Sequence, residues 1–199
     1  LLRAWQHLDD REPQQASELL HAALHYPENL SEGRLPGQTD NDIWFWQAVC
    51  ANAQGDETEA TRCLRLAATG DRTINIHSYY NDQPVDYLFW QGMALRLLGE
   101  QHTAQQLFSE MKQWAKEMAK TSIEADFFAV SQPDLLSLYG DLQQQHKEKC
   151  LMVAMLAAAG LGEVAHYESA RAELMAINPA WPKAALFTTV MPFIFSYVH

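Results

Sequence analysis

The sequence is short of the features that mark a chemical or an electrostatic task. It holds three cysteines, Cys50, Cys63 and Cys150, an odd count with no close pair at metal-ligand spacing. That argues against a disulfide framework and a zinc site, and fits reduced, partly buried thiols in a cytosolic protein. Basic residues are few and scattered, 14 against 25 acidic ones, for a formal net charge of −11. Such a surface repels phosphate backbones and anionic headgroups, so neither nucleic acid nor a membrane surface is an expected partner. The longest uncharged, mainly apolar run is "CLMVAMLAAAGLG", shorter than the roughly 20 residues a bilayer demands. There is no glycine-rich phosphate loop, no GxSxG elbow and no Cys–His nucleophile signature. The opening "LLRAWQ" has no initiator Met, no basic flank and no signal-type apolar core, which leads us to expect a fragment of a longer cytoplasmic protein.

What the chain does have is apolar mass and recurrence. Apolar residues make up 48% of its 199 positions and aromatics 11%, enough to bury a core. "DIWFWQAVCANAQGDETEATRCL" at 42–64 is echoed by "DYLFWQGMALRLLGEQHTAQQLF" at 86–108, each matched pair separated by 44 residues. The same offset aligns Ala4 with Ala48 and Gly92, Ala16 with Ala60 and Ala104, and Leu20 with Leu64 and Phe108. A fixed period of this length signals one supersecondary unit stacked on copies of itself. Inside a unit the spacing is helical: Trp90, Ala94, Leu97 and Leu98 share a stripe, and Gly99 stops the helix. Ala104, Leu107, Phe108 and Met111 form the stripe of the next. Two helices joined so tightly run antiparallel, with small residues at Ala48 or Gly92 and at Ala60 or Ala104 allowing close approach.

"Gly92…Gly99…Ala104…Phe108" and "Ala48…Gly55…Ala60…Leu64" resemble the tetratricopeptide repeat, whose unit is normally about 34 residues. Here the connectors "YPENLSEGRLPGQTDN" and "GDRTINIHSYYNDQPV" add roughly ten, and a longer insertion containing "IEADFFAVSQPDLLSLYGD" precedes the last unit. That unit keeps Gly162, Leu174 and Pro179 but carries Tyr167 and Arg171 where the pattern has Ala and Phe, so a splayed or irregular pair is expected there. Together with the connectors, the chain resembles the C-terminal repeat region of large bacterial proteins of unassigned function. In those proteins the N-terminal part looks like a carbohydrate-handling β-sandwich. The resemblance implies an all-α fold: a right-handed α-solenoid of tetratricopeptide-like helix pairs with long inter-repeat loops. Its units span about 1–27, 42–69, 86–118 and 143–178 of a domain at 1–180. It also implies a non-catalytic module that binds another domain of its own chain, a partner protein or a peptide, with no cofactor and no metal.

Candidate binding residues fall in two groups. In tetratricopeptide arrays the first helix of each unit lines the concave groove. By that pattern Phe45, Asn52, Phe89 and Arg96 face the groove while Trp46 and Trp90 pack, the alternative being that all four aromatics are inter-repeat core. The second group is "YYNDQP", residues 79–84. Tyr79, Tyr80, Asn81 and Asp82 offer rings to stack on a sugar face and amides to reach hydroxyls. The same stretch also reads as a plain turn in which Asp82 or Asp86 caps a helix and Pro84 sits near its first turn. On the sugar reading the chain is part of a carbohydrate-binding or carbohydrate-processing enzyme, sharing a site with a missing N-terminal region and supplying the Glu124 and Asp126 carboxylates, with Asp134 a later candidate; the alternative is that two of these three cap helices. His21 and His25, four apart, lack a third metal ligand and read as a solvated helix end; His77 and His146 have no visible orienting partner. Residues 181–199, with Phe187, Phe193, Ile194 and Phe195, are expected to cap the last repeat or mediate self-association into a homo-oligomer.

Overall fold

The computed structural model describes residues 1–25, 29, 38–74, 83–124, 141–181 and 183–196. Among them there are nine helices and no strand: α1 (Leu2–Asp9), α2 (Pro13–Ala23), α3 (Asn41–Ala53), α4 (Glu57–Ala67), α5 (Tyr87–Leu97), α6 (Gln101–Met118), α7 (Leu142–Leu161), α8 (Val164–Ile177) and α9 (Ala184–Ser196). The chain divides into two units, one of Leu1–Asp71 with Trp90–Ala104, the other of Arg72–Phe89 with Gln105–His199.

One turn recurs inside the pairs α1–α2, α3–α4, α5–α6 and α7–α8. After α3, Gly55 takes φ +79° and donates to Asn52 O at 3.0 Å, while Asp56 N–H reaches back to Ala51 O at 2.9 Å. This pair of bonds satisfies two carbonyls that the ended helix leaves open, and it needs a left-handed residue at its centre. Gly99 (φ +86°) and Glu100 repeat it after α5, on Arg96 O and Leu95 O. Gly162 (φ +75°) and Glu163 repeat it after α7, on Ala159 O and Ala158 O. The turn after α1 is the same again, with Leu8 O and His7 O accepting, but its left-handed residue is Arg11, at φ +61°. Arg11, Gly55 and Gly99 lie 44 residues apart, so the period holds at a position where the residue type does not.

In the first unit α2 packs on α1 and on α3, and α3 packs on α4. Ala16, Ala48 and Ala60 are buried, as the need for close helix approach requires. The Asp56 carboxylate caps α4 by accepting from Glu59 N–H at 2.9 Å. In the second unit α7 packs on α8, and Tyr167, one of the two residues behind the expectation of a splayed or irregular pair, is buried. The Tyr167 ring lies edge-on against Phe195 of α9, with centroids 5.4 Å apart. Its hydroxyl donates to Phe187 O at 3.4 Å. The large side chain fills space against α9, with which α8 and α7 share a core. Phe187, Val190, Met191 and Ile194 of α9 are buried, Phe187 against Phe89 and stacked on Trp181. Of the tail residues, Phe187 and Ile194 are therefore core, while Phe193 and Phe195 are half-buried.

Candidate functional site

The doubled "FWQ" resolves into packing. On α3, Phe45 is 0% and Trp46 3% exposed; on α5, Phe89 is 0% and Trp90 1% exposed. In the first unit Trp46 stands between Trp5 and Trp90, each 5.7 Å away and edge-on. Phe45 completes the cluster against Trp90 at 5.2 Å. In the second unit Phe89 meets Phe108 at 6.0 Å and Phe187 at 6.2 Å. The groove-facing expectation for Phe45 and Phe89 is therefore corrected. Every α3 residue from Phe45 to Ala51 is buried, as is every α5 residue from Leu88 to Leu95, so these stretches have no open face for Phe45 or Phe89 to line. A helix that is apolar around its whole circumference goes inside.

The third residue of each triplet is the one that sequence reasoning passed over. Gln47 donates from Nε2 to Ser17 O of α2 at 2.9 Å and accepts from Ser17 Oγ at 2.8 Å. Gln91 donates to Thr69 O at 2.7 Å and Asp71 O at 3.3 Å. Asn41, also fully buried, donates to Ala67 O and Thr69 O, both at 2.7 Å. Thr69 O, just past the end of α4, thus accepts from the first residue of α3 and from α5. The Asn41 and Gln91 amides hold backbone carbonyls at and just past the end of α4, which the ended helix leaves without a partner, inside a core where an unmet carbonyl is costly. The signal was present in the sequence: Gln recurred with Phe and Trp at the same offset, and a polar residue inside an apolar doublet has to bond something.

The remaining candidates scatter. Asn52 is exposed near the end of α3, and Arg96 is half-buried near the end of α5; burial lowers the pKa of the Arg96 guanidinium from its ordinary value. Tyr79, Tyr80, Asn81 and Asp82 lie outside the described residues, as do His77, Asp126 and Asp134. Of the neighbouring residues that are described, Pro84 O accepts from Tyr87 N–H and Asp86 O from Phe89 N–H at the start of α5. The Asp86 carboxylate is buried and paired with Lys183 Nζ at 2.5 Å. Glu124 is exposed. His21 and His25 are exposed with their rings edge-on at 5.3 Å, and no cluster of three metal-ligating side chains occurs among the described residues. His146 is buried with Nε2 on Met118 O at 2.8 Å. That bond fixes the proton on Nε2, so the ring cannot take a proton there from Cys150 Sγ, 3.7 Å away. All three thiols are buried, and burial raises each of them, Cys50 and Cys63 to about 12. Thiols so placed are poor nucleophiles at neutral pH.

No described helix is long and apolar enough to cross a membrane. No family model and no solved structure matches the chain.

Proposed function

We propose that the chain is an array of tetratricopeptide-like helix pairs, a right-handed superhelix with long inter-repeat loops. We read it as a non-catalytic interaction module in the cytoplasm, part of a larger bacterial protein. Its partner on this reading is another domain of the same polypeptide, a second protein or a peptide. The observation that supports it is the fate of the recurring residues. Phe45, Trp46, Gln47, Phe89, Trp90 and Gln91 all lie in the core, and the left-handed turn recurs on the same 44-residue grid. Recurrence spent on packing is what stacked repeats require, and stacked repeats present wide, preorganised contact surfaces with little ordering cost.

With residues 45–51 of α3 and 88–95 of α5 buried, contact falls to the exposed or half-exposed ends of these helices, where Asn52 and Arg96 stand, and to the connectors between pairs. The test is chemical cross-linking in cells, identification of the cross-linked protein or domain, and titration of the purified pair by calorimetry. Binding is expected to weaken at least fivefold in an Asn52→Ala, Arg96→Ala double variant whose melting temperature is unchanged. Saturable binding or turnover of a mono- or oligosaccharide, lost on Tyr80→Ala with Asn81→Ala, would overturn the reading in favour of a carbohydrate enzyme.

A further inference from the structure

We draw no further inference here: the strongest candidate, the surface patch where the Arg62 guanidinium of α4, gripped by both oxygens of Glu59, lies 5.4 Å above the half-exposed Trp44 ring of α3, carries nothing because no feature of the structure shows what would cover it.

Discussion

The turns after α1 and after α3 have the same backbone and different residues. Each is closed by the same two hydrogen bonds around one left-handed residue, Arg11 at φ +61° in the first and Gly55 at φ +79° in the second. For a residue with a Cβ the left-handed region costs about 1–2 kcal/mol, and for glycine almost nothing. The first turn tolerates that cost because its neighbours oppose it. Glu12, directly after Arg11, takes a bond from His7 Nδ1 at 2.7 Å across the turn, and Ala4, Ala16 and Leu20 on the two flanking helices are completely buried. The comparison teaches that packing of the helix pair dictates the turn, and that glycine eases a conformation already imposed. The last turn makes the same point from the other side. Gly162 reproduces the geometry although the residues beyond it, Tyr167 and Arg171, depart from the earlier pairs.

The sharpest way to break the likeness between repeats is to empty their cores. Phe45→Ala and Phe89→Ala should each cost about 3–5 kcal/mol, as large-to-small changes at fully buried aromatics do. Asn52→Ala on the exposed end of α3 should stay within about 0.5 kcal/mol. Urea unfolding measures both, and a small loss at either Phe would restore them to an open surface. Next comes a close approach in the second unit, between α6 and α7. A Cβ on Gly160 would sit 2.4 Å from the Phe108 ring, so Gly160→Ala should destabilise by about 1–3 kcal/mol. Adding Phe108→Leu should recover part of that loss, since the two sites share one clash.

The turn comparison gives the third test. Arg11→Gly should raise stability by about 1 kcal/mol, and Gly55→Ala should lower it by a similar amount, although a Cβ at Gly55 would meet nothing within 4 Å. Equal and opposite changes would show that dihedral cost alone separates the two turns; a loss in Arg11→Gly would show that the Arg11 side chain contributes.

The smallest effect concerns pH. Lys112 Nζ donates to both oxygens of Glu163, at 2.6 and 2.7 Å, tying α6 to the start of α8. This contact, ahead of a lesser one from His166, holds the Glu163 carboxyl below its ordinary range. A carboxyl with a depressed folded value contributes its stability above the unfolded value of about 4.3 and loses it as pH falls through the folded one. Because both side chains are partly exposed, Lys112→Met should cost at most about 1 kcal/mol at neutral pH. In thermal melts the gap between variant and wild type should close as the pH is taken below about 4. A gap that persists in acid would assign the effect to the lysine stem rather than to the ion pair.

Much of this was legible in the residues. The spacing of Trp90, Ala94, Leu97 and Leu98 called for a helix ending near Gly99, and α5 ends at Leu97 with Gly99 in the turn. The small residues Ala48, Ala60 and Ala104 marked positions that are buried. What was not legible was direction. A period of 3.6 says which side chains share a face but not what lies opposite that face, so the spacing alone left Phe45 and Phe89 open between groove and core. Arg11 was not legible, because a left-handed arginine carries no mark of its conformation in its residue type. The destination of Tyr167 was not legible either, because the sequence does not show that α9 lies near enough to receive its ring.

By itself the sequence determined the helical class, the 44-residue grid and the sites of the glycine turns, because these follow from local periodicity and from the dihedral freedom of one residue. Only the tertiary structure decided that residues 45–51 of α3 and 88–95 of α5 are enclosed, that Asn41 and Gln91 meet on Thr69 O, and that Tyr167 of α8 packs on Phe195 of α9. Burial and hydrogen-bond pairing depend on which distant segments come together, and no single segment carries that information.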